Sequence, residues 1–177
     1  LYQNHQVSVA HCPAVAFAHM GATKVPEMLK RGMDVGLGTD GALASGGSLD
    51  LFRQMQIAFH GHSLFYGLPY HNSTPIQKTD LLRIATNGGA KALRWDDEIG
   101  SLEKGKKADM ILLDRERLDV LPSYDPVFMA ASNAGASQVK TVIVDGKTVI
   151  EDGNLTTIDE EELKAKVKEG INVLYWN

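Results

Sequence analysis

With 177 residues, 44% of them apolar, the chain is long enough for one domain or a small pair with a sizeable core. Its net charge of -4 and its 18 scattered Lys and Arg residues exclude the concentrated basic face of a nucleic-acid binder, and no apolar run approaches the roughly 20 residues of a membrane span. A single cysteine, Cys12, excludes an internal disulfide and fits a cytoplasmic setting.

The sequence opens at Leu1, already on the approach to a strand, so the expectation is an excised piece of a longer protein. No secretory leader is visible, although earlier residues of such a protein would decide that point. Residues 7–11 alternate apolar and small side chains and stop at Cys12-Pro13, which predicts a short buried strand. Thr23 is placed to cap a helix over residues 24–31, with Pro26 in its first turn and Gly32 at its left-handed end. Residues 33–39 then predict a second strand. Strand, helix and strand together imply a parallel pair joined by a right-handed crossover. Gly36 and Gly38 weaken the second strand but permit close backbone approach.

After the small-residue loop 42–47, Ser48 is expected to cap a helix whose Leu51, Phe52, Met55, Ala58 and Phe59 recur at helical spacing. Residues 63–78 hold Gly67, Pro69 and Pro75 and no sustained period, which predicts a long connection. Thr79-Asp80 opens another helix through Leu81, Leu82, Ile84 and Ala85; Gly88-Gly89 interrupts it, and residues 90–94 add a last turn or two. Residues 109–114 form a short apolar strand, and residues 121–135 hold a short helix. Residues 139–145 and 147–151 make a hairpin across Asp145-Gly146. A final helix starts at Asp159, paired with Glu162, and aligns Leu163, Val167, Ile171 and Leu174.

Two local features bear on chemistry. Asp40 follows the apolar strand of residues 33–39 directly, where a carboxylate would stand at the C-terminal end of a buried strand; an ordinary Asp-Gly turn is the alternative. His60-Gly61-His62 imitates a metal-chelating HxH pair, but that pair needs the two-residue period of a strand and here follows a helical pattern.

Six words in order carry a resemblance: Val9-Ala10-His11-Cys12-Pro13, Val25-Pro26-Glu27-Met28-Leu29, Gly36-Leu37-Gly38-Thr39-Asp40-Gly41, Ser48-Leu49-Asp50-Leu51-Phe52-Arg53-Gln54-Met55, Ala85-Thr86-Asn87-Gly88-Gly89-Ala90, and the run from Ile99 through Gly100, Ser101, Leu102 and Lys104 to Asp109. By them the chain resembles the amidohydrolase superfamily, nearest the cytosine/guanine deaminase and chlorohydrolase type that includes adenosine-derivative deaminases and triazine hydrolases. The resemblance implies an α/β fold: the C-terminal part of a (β/α)8 TIM-like barrel, strands seven and eight, plus part of a small β-sandwich. Residues 1–98 would be the barrel part, 99–157 the C-terminal share of the sandwich and 158–177 a C-terminal helix. A complete barrel takes roughly 250 residues. The family's other metal histidines and its catalytic glutamate have no counterpart here, so this segment alone is expected to be inactive.

The resemblance also implies a metal-dependent hydrolase that breaks C-N or C-Cl bonds of a heteroaromatic or amidine-like small molecule. The cofactor would be one divalent ion, zinc or iron. Asp40 would be both metal ligand and catalytic base, while His11 would touch substrate or orient the loop, a packing histidine being the alternative, and Ser45 would point its hydroxyl into the pocket, a solvent-exposed loop serine being the alternative. The remainder of the barrel is the expected partner, from the same polypeptide or a second chain, with homo-oligomers common in such enzymes. A non-catalytic module, or a half-chain completed by a partner, is the alternative. Two departures bear on the substrate. Ala14-Val15-Ala16-Phe17 stands where the group has a Ser-Asn pair, and Ala42-Leu43-Ala44-Ser45-Gly46-Gly47 replaces a shorter loop bearing two asparagines.

Overall fold

A computed structural model describes residues 7–42 and 49–175, with side chains as far as residue 171. Strands β1 (Val9–His11) and β2 (Val35–Leu37) pair in parallel, with Val9 opposite Val35, Ala10 opposite Gly36 and His11 opposite Leu37. The ladder continues at both ends, where Val9 N donates to Asp34 O and Gly38 N to His11 O, at 2.9 and 2.8 Å. Alternation puts Val9 and His11 on one face and Ala10 on the other. Val9 packs on the core and His11 is buried, whereas Ala10 is exposed.

Between these strands the chain makes α1 (Pro13–Val15), a π-helical turn (Ala16–Met20) and α2 (Val25–Lys30). The expected Thr23 cap is not what starts α2: Lys24 occupies that position without a side-chain bond, and Val25 N donates to the Thr23 carbonyl. Buried Val25 and Pro26 anchor the first turn instead, so packing replaces the cap.

Helix α3 (Leu51–Tyr70) is capped by Asp50, whose Oδ1 accepts from Phe52 N at 2.8 Å and Arg53 N at 3.3 Å. Ser48, the expected cap, lies outside the described residues. The helix also runs through the first half of the segment expected to be a connection, because its inward stripe of Gln54, Met55, Ala58 and His62 continues past Gly61. Pro69 falls in its last turn, and His71 ends it in the left-handed conformation, φ 49°.

Helices α4 (Lys78–Ala85) and α5 (Asn87–Ala92) break at Thr86, whose hydroxyl donates to Leu82 O at 2.7 Å. The break thus precedes the glycines that were expected to cause it. Those glycines let α5 lie against β2: a Cβ on Gly88 would stand 2.5 Å from Val35 O, and one on Gly36 3.0 Å from Gly89 Cα. Val25, Val35, Met55, Ala58, Ile76, Leu81, Ile84 and Ala131 form the core beneath.

The second sheet is antiparallel, in the order β3 (Met110–Leu113), β4 (Val139–Val144), β5 (Lys147–Glu151) and β6 (Asn154–Leu155). Asp145 and Gly146 turn its hairpin with φ of 49° and 76°, the paired positive values of a type I′ turn. Between β3 and β4 come α6 (Pro126–Phe128) and a π-helical turn (Met129–Asn133). Helix α7 (Glu160–Tyr175) begins where Asp159 Oδ1 accepts from Glu161 N and Glu162 N, and its Leu163, Val167 and Ile171 remain half exposed. Among the described residues no helix is long and apolar enough to cross a membrane.

Candidate functional site

Parallel pairing brings the C-terminal ends of β1 and β2 side by side, and the chemistry-bearing residues gather at this mouth. Asp40 leaves β2 three residues after its last paired position, with φ 59°, and is exposed. Its conformation is held locally: Gly41 N donates to Asp40 Oδ1 at 2.5 Å and Thr39 Oγ1 donates to Asp40 O at 3.1 Å. Asp-Gly geometry and a carboxylate at a strand end are therefore both present.

His11 stands at the same end but turns the other way. It is 1% exposed, with its Nε2 3.3 Å from Nε2 of His62 on α3. The Phe17 ring meets both imidazoles edge-on, its centroid 6.2 Å from that of His11 and 5.2 Å from that of His62. Burial, then the neighbouring His62, lowers the His11 pKa from 6.5 to about 4. Burial lowers His62 likewise to about 4, against the opposing pull of Glu27. Both rings are neutral at physiological pH, so one donates through Nε2 and the other accepts. In this structure the His11 ring is buried against His62 and Phe17.

Gln54 extends the same grip, its Oε1 accepting from Ala14 N at 3.0 Å. Glu27 of α2 accepts a short hydrogen bond from the Tyr66 hydroxyl, and that bond together with burial pushes the phenol's pKa up. Sequence reasoning missed Gln54 and Tyr66 and gave His62 no partner. The signal was the i, i+4 series Gln54, Ala58, His62 and Tyr66, legible once the helix is allowed past Gly61.

Ser45, the third residue expected at the site, lies outside the described residues. His60 is exposed while His62 is buried, because the pair lies within α3, where helical spacing points the two side chains apart, and not at a helix end or in a loop. His19 and His71 are exposed. Cys12 is half-buried, its Sγ standing 3.0 Å from where a Gly38 Cβ would be. Lys106 and Lys107 pair with Glu103 and Glu98 at 3.4 and 3.6 Å.

An exposed carboxylate is a suitable oxygen donor to a divalent ion. A catalytic zinc site takes about three protein ligands, and among the described residues no three His, Cys, Asp or Glu side chains converge. A cavity of about 400 Å3 lies elsewhere, around Asp34 and Val35 at the opposite end of β2.

The amidohydrolase family model matches residues 2–149, and the chain belongs to that family. It is 44% identical over 149 residues to a 5-methylthioadenosine/S-adenosylhomocysteine deaminase of Acetivibrio thermocellus, covering 84% of this chain and 33% of that protein. It is 39% identical over 158 residues to a 5'-deoxyadenosine deaminase of Methanosarcina mazei, covering 89% and 35%. Two zinc-bound crystal structures share its fold. An adenosine deaminase from Xanthomonas campestris superposes with a TM-score of 0.83 at 30% identity, over 92% of this chain and 36% of that one. The atrazine chlorohydrolase TrzN from Arthrobacter aurescens gives 0.86 at 26% identity, over 95% and 36%. The chain spans about a third of the length of the curated relatives it matches.

Proposed function

We propose that this chain is the C-terminal portion of a metal-dependent aminohydrolase, supplying barrel strands seven and eight as β1 and β2 and part of the sandwich as β3 to β6. The observation that carries the reading is Asp40 at the end of β2, beside the parallel β1, in a chain that belongs to the amidohydrolase family. The deaminase names of its relatives favour release of ammonia from an adenine-nucleoside-like substrate over loss of chloride. In this reading residues 1–98 are the barrel part, 99–157 the sandwich share and 158–177 a terminal helix, working in the cytoplasm with the rest of the barrel.

Asp40 would hold one position of a zinc or iron site whose other ligands come from outside this chain. A bound divalent ion supplies a water of lowered pKa and stabilises charge on the attacked group. Asp40 accepts the attacking water's proton and carries it toward the leaving amine, as a positioned carboxylate can. Its exposure in this chain suits that task, since both oxygens remain within reach of ligands. His11 braces the mouth from behind, and Ser45 contributes a hydroxyl to the substrate pocket.

The test uses the full-length protein: metal content and ammonia release with 5'-substituted adenosines, for wild type and Asp40→Ala. About one ion per chain with turnover in the wild type, and loss of both in the variant, is expected. A variant that keeps its ion and its rate contradicts the assignment.

A further inference from the structure

The deepest polar contact in the described residues lies behind the mouth, and neither His62 nor its contact with His11 belongs to any of the six family words. His62 Nε2 and His11 Nε2 are 3.3 Å apart, with the two residues 0% and 1% exposed. His11 in turn receives Gly38 N on its carbonyl at 2.8 Å, and Gly38 lies two residues before Asp40. A continuous path therefore runs from the middle of α3 through the end of β1 into the turn that carries the carboxylate.

We propose that His62 is a positioning residue: it fixes the ring and backbone of His11, and through the His11 carbonyl it fixes the Gly38 to Gly41 turn that aims Asp40. This rests on the reading of Asp40 given above. Three features show the contact to be built. Neutral imidazoles joined through Nε2 must hold opposite tautomers, one Nε2-H and one Nδ1-H, so each ring dictates the other's proton. Phe17 clamps both rings, and it sits where a Cβ on residue 61 would come within 2.3 Å of its ring, so Gly61 makes the space the clamp occupies. Gln54, two helical turns before His62, takes Ala14 N, so α3 holds the segment after β1 at two points. The segment so held is the one in which Ala14 to Phe17 replace the group's polar pair, and its apolar Phe17 closes over the imidazoles.

The experiment compares His62→Leu, which removes the contact, with His62→Gln, whose amide can donate or accept in its place, both in the full-length protein. Nitrogen-15 spectra of the histidine rings and of the Gly38 and Gly41 amides report the path directly, with the β4–β5 hairpin amides as a check that each variant folds. Zinc affinity by chelator competition reports its consequence. The expected result is that His62→Leu lets His11 sample both tautomers and shifts the Gly38 and Gly41 amides, with zinc affinity reduced about tenfold or more, the usual effect of removing a group that orients a ligand. His62→Gln should restore the amide positions and most of the affinity. A folded His62→Leu protein with unshifted His11, Gly38 and Gly41 signals overturns the proposal, whatever the zinc result. Shifted signals in His62→Leu, alongside a wild type that binds no zinc, would instead uphold the path and overturn the metal reading of Asp40.

Discussion

His11 and His62 show how burial converts side chains that ordinarily titrate near neutrality into fixed, uncharged parts. Their pKa values, lowered from 6.5 to about 4, have a thermodynamic consequence with a definite sign. Above pH 6.5 both rings are neutral whether the chain is folded or not. As pH falls from 6.5 towards 4 the unfolded chain takes up protons that the folded chain refuses, so stability drops through that window. For the pair the loss is on the order of a few kcal/mol. Urea midpoints of the full-length protein at pH 7.5 and 4.5 should therefore differ more for wild type than for His62→Gln; equal differences would show that the pair is not held neutral. Glu27, which opposes the shift of His62, and Tyr66, bonded to Glu27, are the other titrating groups facing this cluster.

At the scale of elements, α3 does more than cover the sheet. Its inward stripe begins on the segment after β1 through Gln54, passes the core at Met55 and Ala58, and ends on the β1 mouth through His62. Gly61 lies beside that last contact, and Gly61→Ala would drive a methyl group into Phe17. The expected cost is about 1–3 kcal/mol, as for other overpacked sites, read as a lowered denaturation midpoint together with displaced Phe17 ring signals. An unchanged midpoint would mean that Phe17 moves aside freely. Much of this level was legible in the sequence. The strands before Cys12 and Asp40, the hairpin at Asp145-Gly146 and the start of the Asp159 helix follow from alternation, turn chemistry and capping, which are local. The far half of α3 was not, because Gly61, Gly67 and Pro69 all argue locally against helix, while the tertiary contacts that oppose them, burial of His62 and the Tyr66–Glu27 bond, are not visible in the local sequence. The pairing of His11 with His62 was hidden for a related reason: 51 residues separate them, and no periodicity within either segment encodes the other.

The whole chain presents apolar surface that its own elements leave uncovered. Leu64, Leu68 and Tyr70 at the end of α3, and Leu163, Val167 and Ile171 along α7, are all 45% exposed or more. Ala10 is exposed on the open face of a sheet with only two strands. Isolated residues 1–177 should consequently self-associate, as exposed apolar surface and unpaired strand edges favour. Sedimentation velocity checks this, and a single monomeric species with cooperative unfolding would contradict it. In the proposed reading the metal site would likewise be shared, with Asp40 as one carboxylate and its companions in the rest of a longer protein. Asp40 was legible from its position after an apolar strand and from the family words around it. Its surroundings were not, since Ser45 and the neighbouring loop lie outside the described residues.

The most direct test of Asp40 as the metal-holding carboxylate is the stoichiometry of bound zinc in the full-length protein, measured for wild type and Asp40→Ala under identical zinc supply. Near one ion per wild-type chain is expected, with affinity in the variant lower by on the order of a hundredfold or more, since loss of a direct ligand should exceed the effect of losing a residue that merely supports one. Equal zinc content and equal affinity in the two proteins would contradict the account.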